Sequence, residues 1–170
     1  MMIKEIWSPS KWLSHLHMVL NHSQVQKMML RQEGTKKPSC VEGAVTYECG
    51  LATSTFTWGE LLVNQTELPS LQTLENLLKI ASLLQKYKDT LFKGAPITIT
   101  SGWRSLSYNK KIGGASQSYH IKGMALDFTV SGISPAQVQK TLDPVHKGGL
   151  EYAPTWTHID IRPENVRFSA

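Results

Sequence analysis

A chain of 170 residues, 41% hydrophobic and 18% charged, can bury one good core and is too short to divide comfortably into two. No apolar run approaches the roughly 18 residues of a membrane span, which excludes a spanning role. The formal charge of +5 and pI near 9.2 favour an anionic partner such as nucleic acid, a membrane surface or a bacterial wall polymer. Because the basic residues are scattered in singles and pairs (Lys36-Lys37, Lys110-Lys111), with no basic helix face or aromatic ladder, nucleic acid is the weakest of these.

The N-terminus, Met1 to Pro9, contains Glu5 and a proline and lacks a sustained apolar segment, so it does not read as a secretory signal. The expectation is synthesis in the cytoplasm, or a leader absent from this sequence. Lys11 to Arg31 carries Leu13, Leu16, Leu20, Val25, Met28 and Met29 at mostly helical spacing, between Ser8-Pro9-Ser10 and Gly34. One or two helices fit there. His15 and His22 share a face of that stretch, but two turns set them about 10 Å apart, too far for a common ion. They and His17 read as exposed histidines.

From Lys36 to Thr57, glycines, Pro38 and the β-branched run Ala44-Val45-Thr46-Tyr47 suggest an irregular or hairpin segment. Cys40 and Cys49 can close a disulfide in an oxidising compartment but read slightly better as free thiols. Asn64-Gln65-Thr66 matches a glycosylation sequon, which matters only in a eukaryotic secretory pathway. Residues 1–50 are thus an extension without a clear role, and residues 51–170 carry the readable domain.

Pro69-Ser70 opens the most secure helix, running to about Phe92 with Leu74, Leu77, Leu78, Ala81, Leu84 and Leu91 as its apolar stripe and Gly94 as its stop. The run Ala95 to Thr100 alternates and is β-branched, so it reads as a strand leading into Ser101-Gly102-Trp103-Arg104-Ser105. A loop follows to Gln117, with a short helical turn near Tyr108-Asn109. Met124 to Val130 reads as a second strand, and Ser134 to Leu142 as a helix capped by Ser134 with Pro135 first. Gly148 to Tyr152 and Trp156 to Arg162 make a final hairpin. These elements predict an α+β domain: a small, mainly antiparallel sheet with helices packed on one side.

Strand alternation decides which side chains can meet. Ala125, Asp127 and Thr129 share one face while Met124, Leu126 and Phe128 line the core. In the last strand Trp156, His158, Asp160 and Arg162 fall together, with His158 and Asp160 about 7 Å apart at Cα. His120 lies in the preceding loop, where Gly123 permits a turn back over Asp127. If the two strands are neighbours, His120, Asp127 and His158 converge on one divalent ion. Three such ligands with an open position suit a zinc that does chemistry. Arg104 follows a strand and a glycine, placed to hold a substrate carbonyl or carboxylate. Ser118 can bond substrate or cap its loop. No Gly-x-Ser-x-Gly elbow is present, and neither cysteine has a neighbouring histidine, which leaves a covalent nucleophile unsupported.

Ser118-x-His120-x-x-Gly123-x-Ala125-x-Asp127, preceded by Ser101 to Ser105 and Tyr108-Asn109 and followed by His158-Ile159-Asp160, resembles the zinc D-Ala-D-Ala carboxypeptidase family, peptidase M15. The resemblance runs from about Phe56 to Arg162. It implies the fold shared by D-alanyl-D-alanine peptidases and the Hedgehog signalling domain, one Zn2+ per chain on His120, Asp127 and His158, and cleavage of peptidoglycan stem peptides. It also implies a substrate contact for Arg104 and a supporting role for Ser118. Where many members carry a catalytic glutamate or histidine just before the last ligand, this chain has Thr155 and Trp156. Asp160, by proximity and the His-x-Asp pattern, is the first candidate base, and Glu151 on the preceding strand is the second. The leading expectation is a zinc peptidase of the bacterial wall, acting as carboxypeptidase, dipeptidase or endopeptidase, as a lysis enzyme would. The alternative is a wall-binding module that keeps the zinc scaffold without hydrolysis.

Overall fold

A computed structural model describes residues 52–62 other than 54, residue 67 and residues 69–169. The helices expected over Lys11 to Arg31, with His15, His17 and His22, lie outside the described residues, as do Cys40, Cys49 and the sequon. In chain order the elements are α1 (Trp58–Leu61), α2 (Leu71–Thr90), β1 (Ile97–Ser101), α3 (Leu106–Lys111), β2 (Ala125–Val130), α4 (Pro135–Leu142), β3 (Gly149–Glu151), β4 (Thr157–Asp160) and β5 (Val166–Phe168).

Local chemistry explains where the helices begin. The side chains of Ser70, Ser105 and Ser134 each accept a hydrogen bond from the backbone N–H three residues on, satisfying a donor that the first turn of α2, α3 and α4 leaves without a helical partner. Pro135 stands in the first turn of α4, where a missing N–H is harmless. Sequence periodicity does not reveal α1, which is too short to show any. Its signal is Thr57-x-x-Glu60, a capping box in which Thr57 Oγ1 accepts from Glu60 N and the Glu60 carboxylate accepts from Thr57 N.

The sheet runs β1-β2-β4-β3-β5, antiparallel throughout except for the β3–β5 pair. One face is apolar. Ile97 stands opposite Val130, Ile99 opposite Phe128, and Ile159 between Leu126 and Leu150, all buried. Against them pack Leu74, Leu77, Leu78, Ala81 and Leu84 of α2, joined by Ile80 and Tyr87, together with Val138 and Leu142 of α4 and Trp58, Leu61 and Leu62. Leu91, also expected in that stripe, is only half-buried at the end of α2. Each fully buried Leu or Ile contributes about 1.5–3 kcal/mol of transfer free energy, so this face holds the domain together. The opposite face is left for chemistry.

Behind the sheet lies a buried histidine that no sequence motif announces. His146 Nδ1 stands 3.2 Å from the Tyr87 hydroxyl, and Nε2 stands 3.1 Å from the carbonyl oxygens of both Gly149 and Asp160. Two carbonyls require Nε2 to carry a proton, and in the neutral ring Nδ1 accepts from Tyr87. Burial pushes its pKa below the usual histidine value, opposed by the carbonyl hydrogen bonds. Above about pH 6.5 the stability from this neutral ring is fully present; below it the unfolded chain binds a proton that the folded one resists, and stability falls. We expect the urea midpoint to decline as pH falls below about 6.5 in the native sequence, and to decline less in His146→Gln. Parallel pH profiles for the two proteins would refute this role.

Candidate metal centre

Sheet register sets one row of side chains across the polar face: Ser101 opposite Asp127, Asp127 opposite His158, His158 opposite Glu151, and Glu151 beside Phe168. The row owes its first member to an irregularity, because the register shifts between Ile99 and Ser101. Strict alternation would have set Thr100 opposite Asp127. The extra residue brings Ser101 there instead, an effect typical of a β-bulge.

His120 enters from the loop before β2. Gly123 turns that loop with φ of 68°, and a Cβ there would stand 2.5 Å from the Thr73 carbonyl oxygen of α2. Glycine therefore fits on two counts, conformation and close approach. The loop is pinned by Asn76 Nδ2 donating to Lys122 O (2.9 Å), by Trp103 Nε1 donating to Ile121 O (3.0 Å) and by Arg104 N donating to His120 O (3.2 Å). Ser118 Oγ accepts from His120 N at 3.3 Å, so it shapes the turn that presents the imidazole.

Three buried side chains converge. His120 Nε2 lies 3.2 Å from Asp127 Oδ1, His158 Nδ1 lies 2.7 Å from the same oxygen, and the two nitrogens are 3.3 Å apart. Four ligands placed tetrahedrally about 2.0 Å from a zinc would be about 3.3 Å from one another, so this triangle fits one face of such a shell. The opposite ring nitrogens are already engaged. His120 Nδ1 donates to Gly102 O at 2.6 Å, and His158 Nε2 donates to Asp160 Oδ2 at 3.3 Å. Each ring therefore turns its other nitrogen, His120 Nε2 or His158 Nδ1, toward Asp127, where it offers a lone pair to a metal once its proton is given up. His120, Asp127 and His158 are the residues among those described that group as a possible metal site.

The carboxylates favour protons on these inward nitrogens, protons that a metal ion would displace on binding. Burial acts to raise the Asp127 pKa, but hydrogen bonds from His120 and His158 prevail and hold it well below the usual carboxylate range. For His158 burial acts downward, and bonds to Asp127 and Asp160 overcome it, lifting the pKa to about 9. Arg104 donates through Nη2 to Asp127 Oδ2 (2.8 Å) and through Nε to Ser101 Oγ (2.9 Å). Its guanidinium is therefore moored at the rim of the centre, and it keeps Asp127 Oδ1 turned toward the histidines.

Asp160 is the most enclosed group here, with 0% exposure. Its Oδ1 accepts from Gly149 N (3.1 Å), Arg162 N (3.1 Å) and Arg162 Nε (2.8 Å), and its Oδ2 from Arg162 and His158. A Cβ on Gly149 would lie 2.3 Å from Asp160 Oδ2, so only glycine leaves room for this ion pair. Arg162 is itself stacked on two rings, 4.4 Å from the Tyr119 centroid and 5.3 Å from that of Phe168. Phe168 meets the His158 ring edge-on at 5.9 Å. Phe168 and the strand that carries it escape sequence reading, because Val166–Phe168 is too short to show alternation. Glu151 is half-buried beside His158 and lies outside the convergent triangle.

A family model described as Peptidase M15 matches residues 49–160, a span holding His120, Asp127, Glu151, His158 and Asp160. Peptidoglycan L,D-endopeptidase MepK of Escherichia coli (strain K12) is 36% identical over 75 residues, 40% of this chain and 41% of the relative. The protein of the same name from Shigella flexneri is likewise 36% identical over 75 residues. The chain spans about two fifths of the length of these curated relatives.

Proposed function

Because the chain belongs to the peptidase M15 family, we propose that it is a zinc-dependent hydrolase of an amide bond in peptidoglycan stem peptides, acting at the bacterial wall. The observation that carries this is the convergence of His120 Nε2, Asp127 Oδ1 and His158 Nδ1, with both remaining ring nitrogens already donating elsewhere. A zinc ion held there supplies Lewis acidity toward a scissile carbonyl and makes water acidic enough to react near neutral pH. Everything else falls to the protein. His120, Asp127 and His158 would hold the ion, Gly102 O and Asp160 fix the rings, and Arg104, tethered by Ser101 and Asp127, offers a cation to a substrate carboxylate or to charge developing on the carbonyl oxygen. Ser118 supports this from behind by shaping the His120 turn.

The names of the relatives favour an internal cut in the stem peptides over release of a terminal D-alanine. The basic charge of +5 suits an anionic wall polymer. Purified peptidoglycan digested with and without chelator, and read by mass spectrometry, tests the proposal. Chelator-sensitive muropeptides cut within the peptide are expected. Zinc bound near one per chain with no peptide product from any wall chemotype would instead leave a non-catalytic wall-binding module.

A further inference from the structure

We propose that Glu151 is the general base of this centre; the inference rests on the hydrolytic reading above. Amide hydrolysis needs a group that takes a proton from water and returns it to the leaving nitrogen, and that group needs a lone pair open to the reactants. The sheet face that carries His158 presents three carboxylates, Asp127, Asp160 and Glu151. Two are committed. Asp127 uses Oδ1 on both histidines and Oδ2 on Arg104. Asp160, nearest in sequence to the last histidine, is fully enclosed, and both its oxygens are occupied by Arg162, Gly149 N and His158.

Glu151 is the one that remains. It stands directly opposite His158, on the side away from Asp127, so the two acids flank that imidazole across adjacent strands. Directly opposed residues of neighbouring antiparallel strands bring their Cβ atoms to about 4.5–5.5 Å, within reach of one site. Half-buried, it makes no side-chain hydrogen bond or ion pair among the described residues. A partly desolvated carboxylate without a partner adds nothing to the stability of the fold. It is free to act on water.

In the step proposed, Glu151 accepts a proton from the attacking water as the water oxygen bonds to the scissile carbonyl carbon. It then delivers that proton to the amide nitrogen as the C–N bond breaks, leaving a carboxylic acid and an amine. Asp160 is a positioning residue that acts through His158.

Glu151→Gln and Asp160→Asn distinguish the two roles, with kcat, KM and zinc content measured on each purified full chain. We expect Glu151→Gln to lower kcat by about 10²–10⁴-fold, with KM within about threefold and zinc still near one per chain. Asp160→Asn is expected to weaken zinc binding by about 10–100-fold, with activity recovered in excess zinc. Wild-type kcat in Glu151→Gln, or a loss that tracks loss of zinc, would overturn the assignment. If the unmodified protein cuts no wall peptide, the hydrolase reading itself has failed, and that is seen before any variant is made.

Discussion

Asp127→Ala should strip the metal from the protein and lower peptide hydrolysis by at least about 10³-fold, the scale of losing several kcal/mol of charge stabilisation. Asp127 is the hinge of the site. Its Oδ1 touches both imidazoles and its Oδ2 holds Arg104. Alanine removes the only anionic ligand of the triangle and leaves the Arg104 cation facing two imidazoles, which repels a divalent ion as well as failing to bind it. Asp127→Asn keeps the shape and removes the charge, and should fall nearly as far. Elemental analysis of the purified variants, run beside muropeptide release, checks both parts. A variant that keeps one zinc and its activity would show that Asp127 is no ligand.

Arg162→Met should destabilise the domain by about 3 kcal/mol and weaken zinc binding by about 10–100-fold, although Arg162 makes no hydrogen bond to His120, Asp127 or His158. The reason is burial. Asp160 has 0% exposure and its ionic partner is Arg162, so removing the guanidinium leaves an enclosed carboxylate held only by Gly149 N, Arg162 N and His158. The stack on Tyr119 and Phe168 goes with it. Folded and unfolded populations in urea give the first number, and zinc titration gives the second. The double variant Arg162→Met with Asp160→Asn should regain part of the lost stability, since no uncompensated buried charge remains. No recovery in the double variant would mean that the ring stack, not the ion pair, carries the effect.

Much of this site was legible in the chain because strand alternation is a strict rule. Placing Asp127 opposite the apolar face, and His158 with Asp160 and Arg162 on one strand face, needed only a period of two. Glycines did the rest, with Gly123 marking the turn that returns His120. What sequence could not supply was register. Nothing local says that Ser101 reaches Asp127 through a bulge, that Glu151 stands opposite His158, or that a three-residue strand, β5, brings Phe168 alongside. Those pairings join segments distant in the chain. His146 was silent for a similar reason, since its partners Tyr87, Gly149 and Asp160 meet only in the fold. The proximity of Asp160 to His158 in sequence suggested a proton carrier. Enclosure is what argues for a supporting role, and enclosure is a property of packing.

The most direct test is a zinc titration of the chelator-stripped protein, with peptidoglycan cleavage measured at every step. Cleavage should begin near zero, rise in proportion to added zinc and level off at one equivalent per chain, with His120→Ala and His158→Ala remaining flat throughout. Full cleavage by the stripped protein, or by either histidine variant, would contradict a metal centre built from His120, Asp127 and His158.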